Sequence, residues 1–223
     1  MTTTTVRPHG AARSRPSHPN RPSPRPVASR LHASARGDAG PPGTATPNVK
    51  VGVFYSTGTM TTQKIARRIA DGLGEACDAP MPINTTHAPD LAAYDALVFG
   101  APSYLWEKHR VSALDFDTIE PTFGNTRDLE GKRVAVFGLG DQEGYPKNFC
   151  DAIGILFDHF QLRGADMVGW TENEGYDFKR SRALKQGRLC GLALDPHTQN
   201  DLTDARVKAW IAQIAQEFGL DDA

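Results

Sequence analysis

The sequence has few cysteines and no long apolar run, and these two absences exclude several classes of protein. Its three cysteines, Cys77, Cys150 and Cys190, are widely spaced and form no CxxC pair. A disulfide framework, an iron–sulfur cluster and a cysteine-based metal site are therefore not predicted. No apolar stretch approaches the roughly 18 residues that a membrane-spanning helix needs, so we expect no membrane insertion.

Acidic residues are nearly missing from the first 49 positions, which hold seven arginines and one acid, Asp38. Residues 50–223 hold 18 basic and 25 acidic residues and so carry a net charge of −7. An acidic domain argues against binding to nucleic acid or to an anionic membrane, and it favours basic protein partners.

Residues 1–48 are rich in arginine, serine, proline, alanine and threonine and lack an apolar run that could join a core. We therefore predict that this segment is disordered and that a folded domain occupies residues 49–220. The composition is typical of an organelle transit peptide, whereas a secretory signal would need an apolar centre. An untargeted extension is the alternative.

From Val49 onwards, apolar segments with strand-like and helix-like spacing alternate. Strands are predicted at 49–55, 94–103 and 132–141, with a last strand in two pieces at 164–170 and 190–194; helices are predicted at 62–74, 148–164 and 202–220, the last with Thr203 as its N-cap. This alternation predicts an α/β fold with a doubly wound parallel sheet and helices on both faces. Ligands bind such sheets at the carboxyl ends of the strands.

Three strand exits carry residues suited to a ligand. The first, "STGTMTT", offers hydroxyl groups and the free amides of a helix N-terminus, which suit a phosphate. The motifs GxxxxGK[ST] and GxGxxG are both absent, so a triphosphate and a dinucleotide are disfavoured. The second exit supplies Tyr104 and Trp106, and the third supplies Asp141 and Tyr145. Aromatic rings at neighbouring exits can enclose a planar ligand, although they can also fill an apolar seam.

Three long segments resemble one family: "VAVFGLGDQEGYPKNFCDAIGIL" (134–156), "EGYDFKRSRALKQGRLCGLALD" (174–195) and "NDLTDARVKAWIAQI" (200–214). Over about residues 49–220 the chain resembles the long-chain flavodoxins. The resemblance implies a flavodoxin-like five-stranded sheet of order 2-1-3-4-5, with the polar segment 171–190 as the long-chain insertion in the last strand. It also implies non-covalently bound flavin mononucleotide (FMN) and one-electron transfer without enzymatic catalysis.

The resemblance implies three groups of cofactor-binding residues. They are the phosphate loop Thr57, Gly58, Thr59, Met60, Thr61 and Thr62; the second loop Pro102, Ser103, Tyr104 and Leu105; and the third loop Leu139, Gly140, Asp141, Tyr145 and Asn148. Tyr145 matches the tyrosine that stacks on the outer face of the flavin.

Two positions depart from the family pattern. Met60 stands where the family has glycine, so we expect this loop either to relax or to carry strain of about 1–3 kcal/mol. Tyr104 stands where the family has tryptophan, and Trp106 is the alternative stacking residue on the inner flavin face.

The resemblance implies a low-potential, monomeric electron carrier that replaces ferredoxin between photosystem I and ferredoxin–NADP reductase. With the transit-like N-terminus, the expected location is the chloroplast stroma, and otherwise the cytoplasm. Two alternatives stay open: an FMN-dependent NAD(P)H:quinone reductase on the same fold, and a binding module that has lost its flavin.

Overall fold

The computed structural model describes residues 49–56, 59–85, 91–103 and 129–220, which form a parallel sheet with helices on both faces. The predicted disordered segment 1–48 lies outside the described residues, and the boundaries of that segment and of the 49–220 domain stay predictions. The strands are β1 (Val51–Tyr55), β2 (Met81–Pro82), β3 (Ala96–Pro102), β4 (Arg133–Leu139), β5 (Asp166–Val168), β6 (Thr171–Glu172), β7 (Leu184–Lys185), β8 (Arg188–Leu189) and β9 (Leu192–Leu194). The helices are α1 (Met60–Leu73), α2 (Asp151–Leu162) and α3 (Asn200–Phe218), with short 3-10 turns at Gly74–Ala76 and Ile83–Thr85.

The central sheet has the order β2-β1-β3-β4-β5, and all of its strand pairs are parallel. Strand β5 pairs with the first three residues of β4, and β9 pairs with the last three, Phe137–Leu139. The fifth position of the sheet is therefore one strand in two pieces. This confirms both the predicted order and the predicted interruption, while β2 was not located from the sequence.

The two faces of the sheet bury separate apolar clusters. Helices α1 and α3 cover one face, with Ile65, Ile69 and Trp210 packed against β1 and β4. Helix α2 covers the other face and contributes Ile153 and Phe160. Because β1 and β3 are buried along their whole length, they lack the alternation of a half-exposed strand, as expected for a parallel sheet covered on both sides.

The segment between β5 and β9 folds as a small antiparallel sheet of order β6-β8-β7. The turn that joins β7 to β8 has positive φ at Gln186 (53°) and Gly187 (82°), as a two-residue hairpin of type I′ requires. The insertion lies directly against α2. A Cβ atom at Gly154 would stand 2.2 Å from the backbone oxygen of Arg182, so only glycine allows this approach.

Two helix starts differ from prediction. Helix α1 begins at Met60 because Thr59 caps it, two residues before the predicted start. Helix α3 begins at Asn200, and the predicted N-cap role of Thr203 is wrong. Thr203 lies inside the helix, where its buried hydroxyl donates to the backbone carbonyl of Gln199 at 3.4 Å.

Candidate functional site

The carboxyl ends of β1, β3 and β4 lie side by side, joined by amide–carbonyl hydrogen bonds that continue the sheet. The amide of Ser56 donates to Gly100 at 2.9 Å, and that of Ser103 donates to Leu139 at 2.8 Å. The amide of Gly140 donates to the carbonyl of Leu194 at 2.9 Å, at the end of β9. The fold thus brings together the three exits that the sequence analysis singled out.

The first exit leads into the N-terminus of α1 through a pair of threonine side chains. Thr59 is the N-cap, and its Oγ1 accepts from the amide of Thr62 at 3.2 Å. The two hydroxyl oxygens lie 2.7 Å apart, with Thr62 fully buried and Thr61 exposed. Thr57 and Gly58 lie outside the described residues.

Met60 is the first residue of α1 and 74% exposed. Among the non-glycine residues described, positive φ occurs at Cys150 and Gln186 and therefore not at Met60. Of the two alternatives expected for a methionine in the glycine position, the structure shows the relaxed one. The helix simply begins at this residue.

At the second exit, Ser103 connects β3 to α2. Pro102 is the buried last residue of β3, and the half-buried Ser103 accepts a hydrogen bond on its Oγ from the amide of Ala152 at 3.1 Å. That amide lies in the first turn of α2 and has no acceptor within the helix. Ser103 therefore caps α2, a role that the sequence did not indicate. Tyr104, Leu105 and the alternative Trp106 lie outside the described residues.

The third exit is a tight turn that begins at Gly140. A Cβ atom there would stand 2.8 Å from the sulfur of Cys150, so a larger residue would displace the start of α2. The Oδ1 atom of Asp141 accepts from the amides of Glu143 (3.1 Å) and Gly144 (2.8 Å), which is an Asx turn. The amide of Tyr145 donates to the backbone oxygen of Asp141 at 2.9 Å. This turn determines where the half-buried Tyr145 lies.

Asn148 serves the start of α2. Its amide donates to the carbonyl of Tyr145 at 3.0 Å, and its side chain donates to Asp151 at 2.8 Å. The other carboxylate oxygen of Asp151 accepts from the amide of Arg182 at 2.7 Å, so the insertion is tied to the same point.

Three buried or half-buried polar residues behind the third exit were missed from the sequence: Gln142, Asp195 and Thr198. Asp195 is fully buried and directly follows β9, so it occupies a fourth strand exit, which is the signal that could have revealed it. Burial alone would raise the pKa of Asp195. Hydrogen bonds from Thr198, from the amide of Gln142 and from that of His197 outweigh burial and lower the pKa below 3.8. The carboxylate is therefore charged at neutral pH.

The three cysteines are not reactive thiolates. Burial raises the pKa of Cys77 and of Cys190 to about 12 and that of Cys150 further still, which keeps all three thiols protonated. Within residues 49–56, 59–85, 91–103 and 129–220, no three histidine, cysteine or acidic side chains cluster in a way that could hold a metal ion. No helix of the described segments combines the length and the apolar character that crossing a bilayer requires.

Comparison with known proteins identifies the family. The flavodoxin family model matches residues 53–210, which is more than half of the chain. The chain belongs to the flavodoxin family. A flavodoxin from Nostoc is 41% identical over 171 residues, which are 77% of this chain and 98% of the relative. A flavodoxin from Synechococcus elongatus is 41% identical over 172 residues, or 77% of this chain and 99% of the relative.

Solved structures agree with this assignment. The crystal structure of Fusobacterium nucleatum flavodoxin bound to FMN is 28% identical and superposes with a TM-score of 0.64 over 76% of this chain and 99% of that one. Flavodoxins are electron-transfer proteins, so the expectation of a carrier rather than an enzyme is confirmed by family membership.

Proposed function

We propose that this protein binds FMN non-covalently at the three strand exits and carries single electrons between redox proteins. One observation carries the proposal. The N-terminus of α1, which is capped and rich in hydroxyl groups, lies at the same sheet edge as the turn that positions Tyr145. Family membership and the FMN bound to the relative from Fusobacterium nucleatum support it. When bound, FMN supplies the redox chemistry, and no residue of the chain needs to act as an acid, base or nucleophile.

The start of α1 fits a terminal phosphate. The amides of Met60 and Thr61 lie in the first helical turn, where no intrahelical acceptor reaches them, and the positive end of the helix dipole is at the same place. One hydroxyl of the Thr59–Thr62 pair donates to the other, so the pair leaves one hydroxyl proton for the phosphate. The nearest described cation along the chain is Lys64, which is exposed on the helix surface. A phosphate held by hydroxyl groups and amides alone would keep its charge, which opposes the addition of electrons nearby and lowers the reduction potential.

The third exit suits the flavin ring, and its residues would also lower the reduction potential. Tyr145 would lie against the flavin face, where its electron-rich ring disfavours added negative charge. Asp141, which uses one carboxylate oxygen in the Asx turn, is an acidic residue at this edge. Together with the net charge of −7 on residues 50–223, these residues favour a low-potential carrier.

The spectrum of the purified full-length chain tests this proposal. We expect a yellow protein that releases FMN on denaturation and takes up two electrons in separate steps when titrated with dithionite. Addition of NADPH alone should leave the spectrum unchanged, which separates a carrier from a quinone reductase. A colourless protein that does not take up added FMN would overturn the proposal in favour of the flavin-free binding module.

We further propose that the protein replaces ferredoxin between photosystem I and ferredoxin–NADP reductase in the chloroplast stroma. The acidic domain supports this role, because partners with basic docking faces would bind to it. The transit-like composition of residues 1–48 supports the location. Import of the full chain into isolated chloroplasts, with removal of the N-terminal segment, tests the location. A chain left outside the organelle would refute it.

Salt dependence tests the docking. Glu143 is exposed within the third exit. Glu75 is also exposed, but it follows the end of α1, a helix of 14 residues that runs about 20 Å away from the strand exits. We expect Glu143→Gln to slow reduction of ferredoxin–NADP reductase at low salt and Glu75→Gln to leave the rate nearly unchanged. Equal effects of the two variants, or rates that do not fall with salt, would contradict docking at this edge.

A further inference from the structure

Gln142 is a nearly buried polar residue of the third exit that connects three parts of the chain. Its backbone amide donates to Asp195 at 3.0 Å, and its side-chain Nε2 donates to the hydroxyl of Thr198 at 3.0 Å. Its side-chain Oε1 accepts from the amide of Asp177 in the insertion at 2.6 Å. The side chain is 6% exposed, so water does not readily replace these bonds.

The donors and acceptors of this network leave the Gln142 amide only one orientation. The hydroxyl of Thr198 donates its single proton to the charged carboxylate of Asp195 at 2.6 Å, so it can only accept from Gln142. If the side-chain amide were reversed, its oxygen would face that hydroxyl oxygen and its NH2 group would face the amide of Asp177. Both contacts would then be repulsive. Gln142, Asp195 and Thr198 thus form a closed ring of hydrogen bonds with fixed directions.

The ring holds the turn that carries Tyr145. Gln142 is the residue directly after Asp141, whose side chain and carbonyl accept from Glu143, Gly144 and Tyr145. Both ends of the Gln142 side-chain amide, its Nε2 and its Oε1, hold this turn against the segment after β9 and against the insertion. A change of the Gln142 side chain therefore keeps the turn's own bonds and the bond from its backbone amide to Asp195, but it removes two of the bonds that fix the turn relative to the insertion and to the segment after β9.

We propose that Gln142 is a positioning residue for the cofactor, acting through the Asp141–Tyr145 turn on the affinity and the reduction potentials of bound FMN. This inference rests on the proposed function, because it assumes that the turn lies against FMN. Its chemical basis is that a buried amide bonded at both its nitrogen and its oxygen favours one position of a loop, whereas an apolar side chain of the same size has no such directional bonds.

The test uses the full-length protein with Gln142→Met, which keeps the volume of the side chain and removes its amide. Gln213→Met is the matched control. Gln213 is half-buried, and its side chain donates to the carbonyl of Trp170 at 2.8 Å and to Glu217 at 2.9 Å, so it holds the base of the insertion without contacting the third exit. For each variant, the FMN dissociation constant, the visible circular dichroism of the bound flavin and both one-electron potentials are measured, with urea unfolding of the FMN-free protein as the stability reference.

We expect Gln142→Met to raise the FMN dissociation constant about tenfold, to alter the flavin circular dichroism and to move at least one potential, since oxidised and reduced FMN would not lose the same affinity. A tenfold difference between these losses corresponds to about 59 mV for a one-electron couple. Both variants should lower the free energy of unfolding, but Gln213→Met should leave the potentials and the flavin circular dichroism unchanged. If Gln142→Met keeps the wild-type potentials and affinity, or if both variants change them equally, the inference is wrong.

A second pair of variants applies if Gln142→Met does not fold. Thr198→Ser keeps the hydroxyl group of the ring and should retain the wild-type potentials, whereas Thr198→Val removes it and should reproduce the shift. Equal potentials in these two variants would also overturn the inference. A wild-type protein that fails to bind FMN would instead refute the proposed function, so the two failures are distinguishable.

Discussion

Replacing Gly154 with alanine is expected to separate the insertion from α2. The added Cβ would stand 2.2 Å from the backbone oxygen of Arg182 and 2.4 Å from its carbonyl carbon. Unstrained contacts of this kind need roughly 3.5 Å, so the two segments must move apart by about 1 Å. Backbone atoms cannot rotate away as a side chain can, so the insertion and α2 must move apart as rigid bodies.

Opposing contributions determine the magnitude. Alanine favours a helix over glycine by about 1 kcal/mol, while overpacking costs about 1–3 kcal/mol. The shift also weakens two hydrogen bonds that the insertion makes at the start of α2, from Arg182 to Asp151 (2.7 Å) and from Ser181 to the carbonyl of Phe149 just before the helix, at about 1 kcal/mol in all. We therefore expect Gly154→Ala to lower the free energy of unfolding by about 2 kcal/mol.

Gly72 in α1 provides the matched control, because the same substitution there meets only the ends of a side chain. Its added Cβ would stand 2.8 Å from Cδ1 and 3.1 Å from Cγ2 of the half-buried Ile211, which can change rotamer. The helix propensity gain then dominates, and Gly72→Ala should leave stability unchanged or raise it by up to about 1 kcal/mol.

Urea unfolding of the full chain without FMN, followed by far-UV circular dichroism, measures both variants. We also expect Gly154→Ala to weaken FMN binding in a fluorescence titration, because the start of α2 adjoins the third exit. The reasoning is refuted if Gly154→Ala and Gly72→Ala shift the urea midpoint in the same direction by similar amounts.

Substitutions at three further residues test other parts of the structure. Thr59→Ala should lower the free energy of unfolding by about 1 kcal/mol and weaken FMN binding, because α1 loses its N-cap. Thr59→Ser keeps a hydroxyl group and should retain most of the stability and of the FMN affinity. If the alanine and serine variants lose equal stability in urea unfolding and equal affinity in a flavin titration, Thr59 does not act as the cap. Met60→Gly should not tighten FMN binding, because the backbone at Met60 does not have positive φ, and a lower dissociation constant would show that glycine is required there after all. Burial, and secondly Arg163, lower the pKa of His159 from 6.5 to about 4, so between these pH values the unfolded chain binds more protons than the native protein. Stability should therefore fall as the pH falls from about 6.5 to about 4, and His159→Gln should reduce the difference between urea midpoints at pH 7 and pH 5; an unchanged difference would exclude this histidine as the cause.

The fold was largely predictable because burial leaves a local pattern in the sequence. Fully buried strands appear as apolar runs and one-sided helices as a 3.6-residue period, so β1, β3, β4 and helices α1, α2 and α3 are recognisable in the sequence alone. The division of the last strand was also visible, since two apolar runs flank the polar segment 171–190. The strand order itself came from the family resemblance rather than from periodicity.

The candidate site was predictable only in outline. Apolar runs that end in small or hydroxylated residues marked the three strand exits, because parallel strands place their carboxyl ends at one edge. The start of α1 was missed by two residues, since it depends on the hydrogen bond that Thr59 accepts. Thr203 had the right residue type for an N-cap, yet α3 starts three residues earlier and leaves it inside the helix.

Only the tertiary structure decided which polar groups are used and how. The sequence gives no sign that Ser103 caps a helix 49 residues later, or that Gln142 bonds to Asp195, 53 residues away. Such bonds depend on which strands become neighbours and in what register, and neither is encoded in the residues flanking a polar side chain. The sequence by itself therefore determined the three helices, most strands of the central sheet, the acidic charge of the domain and the sheet edge at which we propose that FMN binds. The relative position of the loops at that edge was decided by hydrogen bonds between segments that are distant along the chain.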